Sequence, residues 1–304
     1  MPDETVDPFA GIDSDKGTEA WYSVENRRDN MKVRNSENIG VRQKWLDVLS
    51  DLNVTSERGL VEMFDSTIGA NTVNMPYGGK YQLSPSQTMT ATIPMLKGNT
   101  DTVTHMSYGM DPFLLSWSPY HGAAYAVVES VAKIAAAGGD VSKVRLTFQE
   151  YFERMTEDET RWGKPLAALL GAYGAEIGLG LPAIGGKDSM SGTFNDIDVP
   201  PTLCSFAVDV NTVENVVTTE LKNAGDLILK LDVEHDENLV PDYADILEKY
   251  DRFRKAVVAG KIKAAYAAGF GGIIEAVSKM AFGNKLGVTL DDEVISKAEL
   301  ARKG

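Results

Sequence analysis

One segment of this sequence has both ends clearly marked, and it limits the folds that the chain can adopt. Ser118 followed by Pro119 predicts a helix start, because serine caps the first backbone amides and proline suits the first helical position. The apolar run that follows continues to about Ala137 and ends at two glycines, 138–139, which favour a helix end. Its most apolar part contains charged residues and is too short to span a bilayer. The sequence therefore predicts a helix of a soluble domain.

Strand-like segments lie on both sides of this helix. β-branched, alternating or short apolar runs predict strands over 88–95, 144–148, 181–184, 203–210, 226–233 and 286–290. Apolar spacing predicts further helices over 36–52, 164–179, 242–268 and 271–282. This mixture predicts an α/β or α+β protein with two domains, the second beginning near residue 224.

Charge and cysteine content exclude several classes of function. The chain has 304 residues and a formal net charge of −14, so it would repel a nucleic-acid backbone. Its single cysteine, Cys204, cannot form an intrachain disulfide, which is typical of a reducing, cytoplasmic compartment. Residues 1–34 are polar and acidic with few apolar residues, so they predict a linker or a mobile arm and not a signal peptide. We expect neither nucleic acid nor a membrane as a partner.

A glycine-rich segment after a predicted strand is the strongest candidate for ligand chemistry. Glycines let a backbone approach a ligand closely, while hydroxyls and a cation can bind phosphate oxygens. The spacing is not that of a P-loop, and a tight surface turn remains the alternative. The candidate residues are Gly185, Gly186, Lys187, Asp188, Ser189 and Ser191.

Other polar residues give weaker signals. Glu129 and Lys133 are four residues apart on the predicted helix, as in an ordinary surface ion pair. The histidines at 105, 121 and 235 lack metal-site spacing, which favours structural roles or exposed positions. Cys204 lies in an apolar strand, which favours a buried structural thiol over a nucleophile.

Longer ordered runs resemble the phosphoribosylformylglycinamidine synthase family. They include FDSTIG, YGGK, WSPYHG, KVRLTFQEYFERM, GLPAIGGKDSMSGTFNDIDVPPTL and GFGGIIEAVSKMAFGNKLGV. The resemblance covers roughly residues 35–300. It implies an AIR-synthase-like fold, in which an N-terminal-type sheet domain is followed by a truncated C-terminal-type α/β domain. The implied division is 1–70 as linker and lead-in helix, 71–213 as the first domain and 214–304 as the second.

The family resemblance also implies a reaction. The parent enzyme is an ATP-dependent C–N ligase of purine biosynthesis that converts formylglycinamide ribonucleotide to the amidine, with glutamine as amide donor and Mg²⁺ as cofactor. This chain resembles the second synthetase copy, so its implied partners are the first copy, the glutaminase domain and small-molecule substrates. We expect it to be inactive alone and to contain no catalytic residue. The alternatives are a structural, dimerising half-module and a small-molecule kinase of the same superfamily.

The resemblance assigns roles residue by residue. Gly186 would approach ATP, and Ser189 would contact the substrate. Family members can have a metal-binding Asn where this chain has Lys187, which argues against a metal role there.

Large family members also hold a structural nucleotide with magnesium at a second, pseudo-equivalent site. This chain keeps one glutamate of that site, Glu129, as the candidate metal ligand. Elsewhere it departs from the pattern, and Mg²⁺ requires oxygen ligands that are missing. We therefore predict that the nucleotide has been lost and that the Lys133 ammonium replaces magnesium beside Glu129. The other residues aligned with this auxiliary site are Arg58, Gln87 and Phe270.

The same resemblance implies an exposed sheet. The family barrel is formed by two N-terminal-type sheet domains, so one domain alone would leave an apolar face and unpaired edges. We expect the chain either to self-associate into a dimer that mimics the missing half or to be poorly soluble.

Overall fold

A computed structural model describes residues 40–64 and 70–290 of the chain. The predicted linker over 1–34 lies outside these described residues, as do parts of the predicted lead-in and of the last domain.

A five-stranded sheet forms the centre of the fold. Its strand order is β3-β4-β9-β5-β6, and neighbouring strands are antiparallel except for β5 and β6, which are parallel. Two small ribbons, β1-β2 and β7-β8, lie outside it. The strands are β1 Tyr77–Gly78, β2 Ser84–Pro85, β3 Met89–Thr92, β4 Thr102–Gly109, β5 Arg145–Tyr151, β6 Ala183–Lys187, β7 Thr193–Phe194, β8 Ile197–Asp198 and β9 Thr202–Thr212.

Seven α-helices are described, and two of them cover one face of the sheet. They are α1 Val41–Ser50, α2 Arg58–Val61, α3 Pro112–Trp117, α4 Pro119–Ala136, α5 Glu159–Leu179, α6 Tyr243–Val258 and α7 Gly272–Phe282. Helix α4 lies against β4 and β9, and α5 packs along α4. Short 3₁₀ turns follow at Val141–Lys143 and Val213–Asn215.

The main core lies between the sheet and these helices. Residues of β9 alternate between buried and more exposed positions, as expected for a strand covered on one face. The core includes Leu146 of β5, Leu203 of β9, Ile134 of α4 and Ala172 of α5. A second, smaller cluster joins Val48 and Val54 to Ile274 of α7.

The boundaries predicted for α4 are confirmed. The Ser118 side chain accepts a hydrogen bond from the His121 amide, and Pro119 is the first helical residue. The helix ends at Ala136, directly before the predicted glycine stop, and Gly138 has a positive φ of 87°. Its length and position therefore follow from local signals in the sequence.

Several predicted elements are wrong or differ in extent. Residues 226–233 form no strand, and Leu227 and Leu229 are 82% and 80% exposed. A strand over 286–290 is also absent. The helix predicted over 242–268 ends at Val258, because Gly260 turns the chain with a φ of 67°. Strand β6 extends to Lys187, so the first glycines of the candidate loop belong to a strand.

Within the part of the chain that the structure describes, no helix is both long and apolar enough to cross a membrane.

The close contact between α4 and α5 gives a stability test. A Cβ added at Gly171 would collide with the Tyr120 backbone carbonyl, whereas one at Gly163, on the same helix, would meet nothing. We expect Gly171→Ala to lower the free energy of unfolding by about 1–3 kcal/mol through overpacking. We expect Gly163→Ala to raise it by about 0.5–1 kcal/mol, since alanine favours helix. Urea unfolding would measure both, and equal effects would contradict this packing.

Candidate functional site

The glycine-rich segment lies at the open edge of the sheet. Among the described strands, β6 pairs only with β5, and Gly186 lies opposite Phe148 in a register interrupted by an irregularity. A Cβ on Gly186 would be 2.8 Å from the Phe148 carbonyl oxygen, so strand pairing itself requires glycine there. Gly185 to Asp188 are exposed. The segment is therefore a solvent-facing edge strand followed by a loop.

The loop after β6 is fixed to the end of β5. The Phe152 amide donates to the Ser189 carbonyl at 2.8 Å, and the Gly192 amide donates to the Phe152 carbonyl at 2.9 Å. The Ser189 and Ser191 hydroxyls are 3.0 Å apart. The structure thus brings the two predicted hydroxyls together on a defined backbone, although their ligand stays a prediction.

A buried carboxylate near this loop was not predicted from the sequence. Glu150 of β5 is only 6% exposed, and its Oε1 atom is buried without a hydrogen-bond partner. Burial, and then repulsion from the Asp188 carboxylate, raise the pKa of Glu150 to about 7. This side chain can hold or release a proton near neutral pH beside the glycine-rich loop.

An ion cluster lies next to the same loop. The buried Glu153 carboxylate accepts from Lys164 Nζ at 2.8 Å, and Arg161 pairs with Asp198 at 2.6 Å. Asp198 also accepts from the Thr193 hydroxyl at 2.6 Å, within the β7-β8 ribbon. The Arg161 pair therefore connects this ribbon to α5. Hydrogen bonds from Thr193 and Arg161 lower the pKa of Asp198.

The predicted pair of Glu129 and Lys133 is present but largely buried. Lys133 Nζ lies 3.1 Å from Glu129 Oε1, and the two side chains are only 11% and 13% exposed. The same ammonium donates to the Tyr108 carbonyl at 2.8 Å and lies 4.4 Å from the centre of the Tyr108 ring. The interpretation as an ordinary surface pair is therefore wrong, since β4 covers both groups.

Lys133 and Gln87 line the same small cleft. Gln87 donates to the Ala267 carbonyl at 2.8 Å and accepts from the Ala267 amide at 2.7 Å. Its amide therefore fixes the segment that leads into α7. The cleft is also lined by Asn74, Ser86, Thr88 and Thr219. Two residues aligned with the auxiliary site thus meet in space.

A second carboxylate fills the start of α7. Glu275 is buried, and it accepts from the Gly271 amide at 2.7 Å and from Lys279 Nζ at 2.7 Å. The Tyr266 hydroxyl donates to it at 3.3 Å. Burial and the nearby Glu275 raise the pKa of Tyr266, with smaller effects from Glu129 and Tyr108. Amides at a helix start attract anions, and here an internal carboxylate occupies one of them.

The other two residues aligned with the auxiliary site make different contacts. The Phe270 ring packs against Phe113, with centroids 5.5 Å apart, and joins the small cluster around Val48. Arg58 of α2 pairs with Glu62, the residue after that helix, at 2.6 Å. Neither contact resembles a metal or phosphate site.

The described residues do not fit the magnesium that the family resemblance implies. Within the described residues, 40–64 and 70–290, no group of three or more His, Cys, Asp or Glu side chains could hold a metal ion. Glu129, the candidate ligand, is paired with Lys133. A divalent cation there would meet an ammonium in place of further oxygen ligands.

The histidines at 105 and 121 have structural partners. His105 Nδ1 is 2.8 Å from the Thr90 hydroxyl, and burial, followed by Arg254, lowers its pKa to about 4. His121 bonds the Ser118 hydroxyl and the Asn238 carbonyl, each at 2.8 Å. Both rings connect distant segments.

Cys204 is half-buried, which corrects the prediction of a buried thiol. Its side chain is on the face of β9 opposite to the fully buried residues. Burial raises the pKa of the thiol to about 11, so it stays protonated at neutral pH.

The face of the sheet that the helices leave uncovered carries several exposed apolar side chains. Large apolar side chains on its strands are exposed. They include Met89, Met106, Tyr108, Tyr151 and Val210, and we call this surface the outer sheet face. A surface of this kind is typical of an interaction site.

The chain is similar in sequence to the PurL subunit of several microorganisms. No family model matches it. The phosphoribosylformylglycinamidine synthase subunit PurL of Methanobrevibacter smithii is 22% identical over 281 residues, which cover 86% of this chain and 37% of that protein. The PurL subunit of Methanococcus aeolicus is 26% identical over 270 residues, covering 81% of this chain and 34% of that protein. The chain thus spans little more than a third of the length of these relatives.

Solved structures give a more distant likeness. Thermotoga maritima PurL complexed with AMPPCP has a TM-score of 0.49 and 15% identity, covering 76% of this chain and 35% of that chain. The same protein complexed with FGAR also has a TM-score of 0.49, with 74% and 33% covered. Scores of this size support no inference about a ligand, and the mixed α/β class is confirmed by the sheet and helices themselves.

The environment of Glu150 predicts a pH dependence. Its folded pKa of about 7 is above the ordinary value of 4.5, so between these values the folded state binds more protons than the unfolded state. The contribution of Glu150 to the free energy of unfolding is fully present below pH 4.5 and decreases as pH rises towards 7. We expect Glu150→Gln to remove this fall and to gain roughly 1–3 kcal/mol relative to wild type between pH 5 and 8.

Urea unfolding at several pH values would measure this difference. Glu157→Gln is the matched control, since Glu157 is exposed and should give a curve parallel to wild type. A Glu150→Gln curve that also runs parallel to wild type would show that Glu150 does not titrate in this range.

Proposed function

We propose, on the premise that this chain is PurL-like, that it is a synthetase half-module of phosphoribosylformylglycinamidine synthase and not a complete catalyst. The parent reaction converts formylglycinamide ribonucleotide, ATP and glutamine to formylglycinamidine ribonucleotide, ADP, phosphate and glutamate. In this proposal the AIR-synthase-like chain works with another synthetase copy and a glutaminase, in the cytoplasm.

The observation that supports this proposal most directly is the outer sheet face. A monomeric sheet domain would cover such a surface or make it polar. Met106 of β4 and Val210 of β9 are near the middle of the sheet, and both are exposed. A second sheet laid over them would bury this apolar surface and extend the fold into the paired arrangement that the family resemblance implies.

The glycine-rich loop is the part of this half-module proposed to contact ATP and substrate. Backbone groups of Gly185 and Gly186 on the open side of β6 can approach a ligand, and the hydroxyls of Ser189 and Ser191 can donate to phosphate oxygens. Lys187 would add positive charge, with Asp188 beside it. These residues would bind and orient, while the missing copy completes the site.

The auxiliary nucleotide site is proposed to be replaced by the protein's own charges. Lys133 supplies a cation beside Glu129, and Glu275 supplies an anion at the start of α7. Together they fill the two electrostatic positions that a magnesium ion and a phosphate would otherwise occupy. The chain then needs no bound nucleotide for stability.

The division into domains at residues 71 and 214 is also part of this proposal, as is a dimer formed through the outer sheet face. The small-molecule kinase alternative is the weaker proposal, because it would need a cluster of acidic metal ligands and none is found among the described residues.

Calorimetry can test the replaced nucleotide site. We expect purified wild-type protein to contain no nucleotide and to give no binding heat with ADP and Mg²⁺. We expect Lys133→Asn to lower the free energy of unfolding by roughly 2–4 kcal/mol, because it leaves Glu129 buried without its cation. Lys143→Asn, which breaks an exposed pair with Asp140, should cost less than about 1 kcal/mol. Stoichiometric ADP and Mg²⁺ in the wild type would refute the replacement.

The thiol of Cys204 can report on pairing of the outer sheet face. If that face pairs, maleimide should label Cys204 more slowly at high protein concentration than at low concentration. Met106→Glu places a charge on the face and should make the labelling rate independent of concentration. Leu96→Glu, in an exposed loop, is the control and should behave as wild type. A wild-type rate that does not change with concentration would exclude pairing of this face.

A further inference from the structure

From Trp162 to Ile177, helix α5 has an apolar exposed side. Between residues 162 and 177, every residue classed as exposed is a large hydrophobic one. The terminal members are far from buried, with Trp162 at 53% and Ile177 at 66% exposure. A solvated helix normally has polar residues on this side. We call this surface the α5 stripe: Trp162, Leu166, Leu169, Leu170, Tyr173 and Ile177.

Glu159 at the start of α5 is exposed, but the charged residues beside the stripe have partners away from it. Arg161 pairs with Asp198 at the surface, and Lys164 pairs with the buried Glu153. The Glu176 carboxylate accepts from the Ala183 amide at 2.6 Å. The stripe is therefore free of the charges that usually keep such a helix in water.

The polar atom of Trp162 is also satisfied. Its indole N–H donates to the Thr156 carbonyl at 2.9 Å. Covering the ring would therefore bury no unpaired donor, which is the usual cost of burying tryptophan. The Trp162 end of the stripe can be covered by another apolar surface without burying an unpaired indole N–H.

The α5 stripe is separate from the outer sheet face. Helix α5 packs against α4 through residues such as Ala168 and Ala172, and α4 covers the inner face of the sheet. The stripe is on the side of α5 opposite to these buried alanines. A partner on the stripe would therefore leave the outer sheet face unoccupied.

The order of residues along the stripe is symmetric about its centre. Leu169 and Leu170 flank the midpoint, Leu166 and Tyr173 lie at equal distances from it, and so do Trp162 and Ile177. A two-fold axis at this midpoint would place each member of a pair opposite the other in an antiparallel helix pair. An isologous interface requires this kind of self-complementary surface.

We propose that the α5 stripe is a two-fold interface at which a second copy of this chain docks its own α5 in antiparallel orientation. The contacts would be Leu169 with Leu170, Leu166 with Tyr173, and Trp162 with Ile177, each across the two copies. The six side chains of each copy would interlock along the two helices, as in other antiparallel helix pairs.

Cysteine cross-linking of the full chain tests both the surface and the register. In a Cys204→Ser background, one preparation has Leu166→Cys and another has Tyr173→Cys. In the proposed pair these positions face each other, while two copies of Leu166 are offset by roughly 10 Å along the axis, too far for a disulfide. We expect oxidation of an equimolar mixture to give a disulfide dimer at least tenfold faster than oxidation of either preparation alone.

Two further variants separate this interface from the outer sheet face. Adding Leu169→Glu to both cysteine chains should reduce the yield of mixed dimer at least tenfold. Adding Met106→Glu to both should leave it unchanged. Circular dichroism and urea unfolding would confirm that both variants stay folded, which is expected for exposed positions.

Three results would overturn the proposal. One is that the single preparations cross-link as fast as the mixture. A second is that Leu169→Glu leaves the yield of mixed dimer unchanged. The third is that sedimentation shows the Met106→Glu protein to be monomeric at high concentration. If Cys204 labelling shows that the outer sheet face does not pair, the cross-linking result for α5 still stands. The two surfaces are therefore tested independently.

Discussion

The close approach of α4 to its neighbours is the constraint on which the rest of the structure depends. Small residues allow it: Ser130 bonds the Ser205 hydroxyl of β9 at 2.9 Å, and the Ser107 hydroxyl of β4 donates to the Ser130 carbonyl at 2.7 Å. On its other side, Gly171 lets α5 lie directly against the backbone at Tyr120. A larger residue at any of these contacts would separate the layers, since packed interiors have little free space. The helix therefore aligns the sheet, α5 and the charged pair near its end.

Local signals in the sequence were sufficient where an element's ends are chemically marked. The caps of α4 and the glycine start of α7 gave both helices within a residue or two. The same reasoning failed at 226–233, where the alternating pattern is that of a strand but no neighbouring strand pairs with it. Alternation predicts what a segment could do in a sheet, and pairing depends on the rest of the fold. The helix predicted beyond Val258 failed because Gly260 takes a left-handed conformation.

The residues of the candidate site were also predicted only in part. The family resemblance led to Gln87 and Lys133, and the structure places both on one cleft. It gave no indication of Glu275, whose importance comes from its burial and from the amide of Gly271. Glu150 was missed for a similar reason, because its neighbours in space are distant in sequence. The Glu-Lys spacing on α7 could have drawn attention to Glu275 and Lys279, but it is also common on solvated helices. The spacing of residues along the sequence does not show which charged side chains will be buried by tertiary contacts.

The central pairing of the sheet also affects how the chain folds. Strands β4 and β9 are neighbours, with His105 opposite Asp209, yet they are on the order of one hundred residues apart along the chain. Helices α4 and α5 lie between them in sequence and can associate earlier through local contacts. Until β9 has been synthesised, β4 lacks its partner, and the inner faces of both helices have no complete sheet to cover. Pairing of β4 with β9 therefore requires the closure of this long loop, and a nascent chain that ends before residue 212 would keep its apolar layers exposed.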